Sequence, residues 1–338
     1  MTLAAKLAAH PPARVLVIQT AYLGDTVFSS ALFSAVALRF FPAVIDACVA
    51  PRGLDVALAF PGIGHVHVYD KRGRDRGLRG LRRVAARLAT RQYQLSVLPH
   101  RSMRTALLAW LARIPERIGF AGTPASLLYT ARVPTREKAF LRREADLAAA
   151  LGAAPGAMQL VPRAEWLSAA RSALRESREE KLAAICLGSE WPTKIWPARH
   201  VTDLVRRLAS NGFRPVLLGG PRERALAREV GAAGGCIDTT GNSVGEALAI
   251  LSMCALAVGG DTGLVHAARA LGIPTVAVFG PTPSDVHLFG PRERAVSLGL
   301  SCSPCTVHGS QRCPLGHHRC LDDLDAERVA SACREVLA

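Results

Sequence analysis

Short apolar runs alternate along this chain with stretches of helical spacing, and most of the runs end in small or polar residues. Arg14 to Gln19, Val44 to Val49, His65 to Tyr69 and Gln94 to Leu98 read as strands, the first of them apolar enough to be buried on both faces. Thr26 to Phe40, Leu78 to Leu88 and Glu137 to Leu151 read as helices, while Arg117 to Tyr129 is irregular. The pattern lapses into Gly, Ala and Pro around Pro155 to Pro162, which predicts a linker. It then resumes with a helix from Glu165 to about Glu180, strands at Ala183 to Leu187, Pro215 to Leu218 and Cys236 to Asp238, and helices at Pro197 to Asn211 and Arg224 to Val230. Thr240-Gly-Asn-Ser243 with Glu246 three residues on predicts a capping box opening the helix Val244 to Cys254. Ala255 to Val258, Leu264 to Leu271 and Pro274 to Phe279 read as strand, helix and strand, with Gly259 and Gly260 as a sharp exit, and Asp325 to Leu337 as a closing amphipathic helix. Such alternation predicts the α/β class with parallel sheets and crossover helices. The expected domains are 1–160 and 161–322, with a final helix, 323–338.

The size of the chain, 338 residues, fits two α/β domains better than one. No apolar run reaches the roughly 20 residues of a membrane span, since Ala31 to Val49 is broken by Arg39, Pro42 and Asp46. Met1 to Ala13 lacks an apolar h-region, so a cytoplasmic protein with reduced cysteines is expected.

Charge changes the picture for the first half. The net charge is +15, and between Lys71 and Arg104 eleven Lys or Arg residues face one acid, Asp75. Such a face suits nucleic acid, anionic headgroups or a phosphorylated substrate, and equally a solvated arginine-rich surface. With little aromatic interleaving and no reader motif, nucleic acid is not expected.

Candidate chemistry gathers where the strands end. Asp261, Thr262 and Gly263 fall where a new helix exposes its first amides, a ready anion site, although Asp261 or Thr262 also serves as a plain N-cap. Gly24 and Asp25 follow the first strand, and Asp25 is either a cap or a catalytic carboxylate. His100 and Arg101 follow the strand ending at Leu98. Lys194 sits in a loop stiffened by prolines and tryptophans, a fixed cation suited to phosphate. Glu223 can accept from ribose hydroxyls or cap its helix.

The order of these loops resembles the family 9 glycosyltransferases, the ADP-heptose:lipopolysaccharide heptosyltransferases, nearest to those that add the second heptose. The resemblance rests on Thr20-Ala-Tyr-Leu-Gly-Asp25, Glu190-Trp-Pro-Thr-Lys-Ile-Trp-Pro197, Leu217-Leu-Gly-Gly-Pro221, Gly259-Gly-Asp-Thr-Gly-Leu-Val-His266, Phe279-Gly-Pro-Thr282 and Cys313-Pro-Leu-Gly-His-His-Arg-Cys320. It implies a GT-B architecture of two Rossmann-like domains with parallel sheets facing across a cleft. The expected acceptor-binding domain is 1–160 and the nucleotide-sugar-binding domain 161–322, with the final helix, 323–338, packing back toward the first domain. It further implies inverting heptose transfer from ADP-heptose without a catalytic metal or cofactor. The acceptor would be the anionic inner core of lipopolysaccharide at the inner membrane surface. By residue, it implies Asp25 and Lys194 as catalytic. Ser189, Thr193, Lys194, Glu223, Asn242, Ser243, Asp261, Thr262, Gly263 and His266 would hold the donor. No family motif matches the acceptor-side loops, so Gly24, His100 and Arg101 are acceptor candidates by their place at the strand ends alone, and a loop histidine is more often structural. The loop begins Leu187-Gly188-Ser189 where the family often has Pro-Gly-Ala.

Two other readings compete: a sugar-nucleotide epimerase or hydrolase of the same architecture, and a non-catalytic basic protein at a nucleotide or membrane surface. Cys302, Cys305, Cys313 and Cys320, with His317 and His318, offer enough ligands for a structural zinc, and are also compatible with free thiols or disulfides.

Overall fold

The apolar runs become strands and the amphipathic stretches cover them. The computed structural model describes residues 2–174, 180–232 and 234–338, and the chain divides into the units Met1–Val161 and Pro162–Ala338.

The first unit runs α1 (Leu3–Ala9), β1 (Arg14–Gln19), α2 (Leu23–Phe40), β2 (Val44–Val49), α3 (Leu54–Leu58), β3 (Val66–Val68), α4 (Gly77–Ala89), β4 (Leu95–Leu98), α5 (Met103–Leu111), β5 (Glu116–Phe120), β6 (Ala131–Val133) and α6 (Phe140–Ala150). The second runs α7 (Ala164–Ala173), β7 (Lys181–Cys186), α8 (Ala198–Ser210), β8 (Phe213–Leu218), α9 (Arg224–Gly231), β9 (Ile237–Asp238), α10 (Val244–Leu251), β10 (Leu256–Gly260), α11 (Gly263–Ala270), β11 (Thr275–Val278), β12 (Glu293–Val296), α12 (Arg319–Asp322) and α13 (Ala326–Leu337). The predicted continuation of α7 over 175–179 lies outside the described residues.

Each unit holds one six-stranded sheet, ordered β3-β2-β1-β4-β5-β6 and β12-β11-β10-β7-β8-β9. All pairings are parallel. In both sheets the order reverses beside the opening strand, between β1 and β4 and between β7 and β10. At such a reversal the loops leaving the carboxyl ends part to opposite faces and leave a crevice, so the fold itself names two places for ligands.

The central strands are closed off from water on both faces: Val15, Leu16 and Ile18 of β1 are fully buried, as are Leu256 and Ala257 of β10. The helix α2 has 18 residues and a mean hydropathy of 1.2, so by length and composition it is able to cross a membrane. Val27, Phe33 and Val36 along it are fully buried and Phe28 stacks on Phe140 of α6 at 5.1 Å, which is how a core helix uses such a surface. The helix α13 does not spend its apolar face on the first unit as expected: Val329, Cys333 and Val336 pack into the core formed with Leu204, Val205 and Val276 of the second unit.

Some elements differ from their predicted bounds for reasons that matter at the sites. The helix α2 starts at Leu23, so Gly24 and Asp25 lie in its first turn and not in a loop before it. Gly259 and Gly260 belong to β10, where a Cβ would press on Cys186 O at 2.6 Å and Lys194 O at 2.7 Å. They are small because neighbouring backbone runs against them, and the exit comes one residue later, at Asp261.

Candidate active site

In the second unit the loops after β7 and β10 flank the sheet reversal, and Asp261 is the hub between them. Its Oδ2 accepts from Lys194 Nζ at 2.6 Å and from Thr282 Oγ1 at 2.9 Å. Its Oδ1 lies 3.0 Å from His266 Nε2 and 3.5 Å from His287 Nε2. Arg269 Nη1 lies 3.2 Å from His266 Nδ1, and a guanidinium only donates, so Nδ1 is the acceptor and the His266 proton sits on Nε2, aimed at Asp261. Arg269 is fixed in turn by Glu293 at 2.9 Å, by the Leu288 carbonyl and by the Phe289 ring at 4.6 Å.

Burial pushes the Asp261 carboxyl up, yet the His266 hydrogen bond and the Lys194 charge outweigh it and hold the group well below the usual carboxylate range. Burial pushes His266 down despite Asp261, and burial with His266 behind it takes His287 down to about 3, so both rings are neutral at pH 7. The ligand atoms of Asp261, His266 and His287 lie within 4.8 Å of one another, a trio able to hold a metal ion by spacing. The donor set argues otherwise: the Lys194 ammonium occupies the same carboxylate, and the Arg269 guanidinium stands behind His266, so a divalent cation would meet two fixed positive charges.

Thr262 is the N-cap of α11, and its Oγ1 is buried without a hydrogen-bond partner. The amides of Gly263 and Leu264 that follow are first-turn donors with no acceptor inside the helix. Lys194, Asp261 and this helix start therefore form one polar edge, cation beside amides, which suits a pyrophosphate.

The other candidates are held in ways that sort them. The Thr193 hydroxyl is spent on Ser310, donating to its carbonyl at 2.9 Å and accepting from its amide at 2.9 Å. His318 Nε2 adds a bond to the Thr193 carbonyl at 2.8 Å, so the cysteine-rich segment braces the turn that carries Lys194. Among the described residues no disulfide joins the four cysteines of that segment. Ser189 Oγ accepts from Trp191 N at 3.2 Å. Glu223 Oε2 takes the Gly220 amide at 2.8 Å as a cap, and its side chain lies over Gly188 and Gly219, where Cβ atoms would come within 2.7 Å of it. Ser243 closes the predicted capping box with Glu246, which occupies its hydroxyl, and Asn242 lies half-buried beside it.

In the first unit the loops after β1 and β4 flank the corresponding reversal. Asp25 Oδ2 accepts from Tyr22 N at 3.1 Å, so this carboxylate does cap α2, and it remains half-buried at the crevice rim. Gly24 precedes it in the same turn. Thr20 Oγ1 lies 3.3 Å from His100 Nδ1, and Lys71 Nζ reaches the Thr20 carbonyl at 2.8 Å, which ties the two loops and the arginine-rich segment together. Burial and then Lys71 take His100 down to about 4. Arg101 extends over the Phe120 ring at 5.0 Å.

Three groups at the hub, Thr282, Arg269 and His287, were not expected from sequence. Thr282 lay in the Phe279-Gly-Pro-Thr motif, so a signal existed. Arg269 follows His266 by three residues on one helix face, a weak sign, and the loop that brings His287 carries none.

Comparison with known proteins adds to this geometry. The profile of Glycosyltransferase family 9 (heptosyltransferase) matches residues 81–315. The chain is similar to lipopolysaccharide heptosyltransferase 2 of Salmonella typhimurium, 28% identical over 96% of this chain and 99% of the relative. Its fold is similar to that of Escherichia coli ADP-heptose lipopolysaccharide heptosyltransferase II, at a TM-score of 0.77 and 24% identity over 96% and 98% of the two chains. It is also similar to E. coli heptosyltransferase WaaC solved with ADP-2-deoxy-2-fluoro heptose, at a TM-score of 0.71 and 21% identity over 95% and 99%.

Proposed function

The chain belongs to glycosyltransferase family 9, the heptosyltransferases, and from that premise we propose that it moves a heptose from ADP-heptose onto the inner core of lipopolysaccharide. The acceptor in this reading bears Kdo or heptose on lipid A, and transfer inverts the anomeric centre. The observation that carries the donor half is the Lys194–Asp261 pair beside the start of α11, at the reversal of the second sheet.

On this reading the pyrophosphate lies against the Gly263 and Leu264 amides with Thr262 Oγ1 as a further donor. Lys194, held ready by Asp261, turns to the phosphate oxygens. Asp261 stays behind because Thr282 and His266 retain its two oxygens. The ribose hydroxyls go to Glu223 and the adenine to the Asn242–Ser243 edge, with Ser189 on the loop between. Thr193 acts through Ser310 by keeping the Lys194 turn in place.

The reaction needs a base for the acceptor hydroxyl and stabilisation for the leaving diphosphate. Asp25 takes the hydroxyl proton as that oxygen bonds to the anomeric carbon, and the carbon–phosphate oxygen bond breaks with its electron pair leaving on ADP. Lys194 and the helix amides offset the charge gained by ADP, so the chemistry asks for no metal. Gly24, His100 and Arg101 meet the acceptor, whose carboxylates and phosphates suit the arginine-rich segment. The enzyme then works at the cytoplasmic face of the inner membrane.

The test is incubation with ADP-heptose and a Kdo-bearing truncated acceptor in EDTA, followed by mass spectrometry of the acceptor. The expected product is the acceptor plus one heptose. Consumption of ADP-heptose at the same rate without acceptor, giving free heptose or an epimer, would overturn the reading in favour of a hydrolase or epimerase.

A further inference from the structure

Neither the fold nor the proposed reaction uses a carboxyl group buried in the first unit. Glu144 of α6 is 7% exposed, on a helix face otherwise given to Leu147 and Ala148. Its Oε1 accepts from Ser29 Oγ at 2.6 Å, Ser29 Oγ accepts from Gln19 Nε2 at 3.0 Å, and Gln19 Oε1 takes the Ala21 amide at 3.3 Å. This buried chain runs from α6 through α2 to the end of β1 and into the turn before Asp25. Ser29 stands four residues after Asp25 on α2, so both project from one helix face. Glu144 Oε2 is buried without a hydrogen-bond partner, a setting that suits a carboxylic acid and penalises a carboxylate.

We propose that Glu144 is a positioning residue for the base, fixing through Ser29 and Gln19 the turn from which Asp25 is presented. This rests on the assignment of Asp25 as base in the proposed reaction. A structural carboxyl placed only for packing would be more cheaply replaced by Leu or Gln, whereas this one spends its oxygen on the single hydroxyl that also holds Gln19.

Its charge state supports the role. Burial pushes the Glu144 carboxyl up to about 8 against the Ser29 bond, Asp25 on α2 pushes the same way, and Arg143 opposes. Arg143 also feels the charges of Arg101 and Asp25. At neutral pH Glu144 is therefore uncharged. Ionisation of Glu144 places a negative charge behind the base and disturbs its seat.

The experiment compares Glu144→Gln, Glu144→Ala and Asp25→Asn in the full chain, measuring kcat from about pH 6 to 9 and ADP-heptose affinity by calorimetry. Glu144→Ala is expected to lower kcat about 10- to 100-fold with donor Kd within about twofold. The wild type is expected to lose kcat as pH rises through about 8, and Glu144→Gln to match it near neutral pH while lacking that decline. Wild-type kcat and pH profile in Glu144→Ala, or the same decline in Glu144→Gln, overturns the proposal. Should Glu144→Ala fail to fold, the Gln profile decides alone. Turnover retained in Asp25→Asn would remove the base assignment itself, a failure separable from that of Glu144.

Discussion

The two sheets share one strand order, yet their reversal points are furnished in opposite ways. At β7/β10 one carboxylate, Asp261, gathers Lys194, Thr282, His266 and His287, and Arg269 and Glu293 lock the shell behind it. At β1/β4 the Asp25 carboxylate caps its own helix, and the loops around it carry arginines and Lys71, several of them held by backbone carbonyls or aromatic rings. A rigid, saturated polar cluster suits a small ligand that is always the same, such as a nucleotide diphosphate. A basic rim with exposed arginines suits a large polyanion gripped mainly by charge. The contrast matches a donor on the second unit and an acceptor on the first.

The contrast breaks most severely if the hub does not matter. Asp261→Ala leaves the Lys194 ammonium and two buried imidazoles without their acceptor, and loss of one partner from a buried ion pair costs about 3 to 5 kcal/mol. Chemical denaturation of the variant is expected to show that loss, together with a kcat/KM lower by about 1,000-fold or more. The sign with pH is fixed by the depressed Asp261 carboxyl: its contribution is present above the ordinary carboxylate range and lost as pH falls through and below it. Wild-type stability should therefore fall more steeply in acid than that of Asp261→Ala, and identical acid slopes would count against the hub.

Lys194→Ala sharpens the comparison from the ligand side. A charge-assisted contact to phosphate is worth about 1.5 to 3 kcal/mol, so ADP-heptose affinity should weaken about 10- to 150-fold and kcat should drop with it. Calorimetry and steady-state kinetics check both, and equal values in the mutant would end the diphosphate role.

A smaller effect is expected at the basic rim. Arg83 bonds Asp75, Arg87 the Val68 carbonyl and Arg91 the buried Asp46, so these three are part of the fold. The informative set is Arg72, Arg79 and Arg82, which are exposed. Replacing them by Gln should raise acceptor KM by about fivefold per charge at low salt, flatten its salt dependence and leave donor KM unchanged. A KM and salt slope equal to wild type would return the rim to an ordinary solvated surface.

The legibility of the chain in its sequence follows the same division. The strands β1 and β2 match their predicted bounds residue for residue because continuous apolar runs between breakers admit few alternatives. The Ser243–Glu246 box was readable because its residue types and spacing have one main use. The helix α5 was missed because Ala106 to Leu111 is apolar all round and gives no periodicity, and β12, Glu293–Val296, is an edge strand too polar to look like one. At the sites, sequence order pointed to Lys194, Asp261 and His266, but which oxygen each atom holds is tertiary. His287 reaches Asp261 from a loop, and Glu144 resembles a surface residue of an amphipathic helix until α2 covers it.

The division of labour stands or falls on Asp25. Measured on Asp25→Asn, which keeps the cap geometry while removing the charge, ADP-heptose should bind within about twofold of wild type while turnover falls about 100- to 10,000-fold, the range for a lost general base. Turnover at the wild-type rate, or donor affinity that falls in step with turnover, would contradict the account.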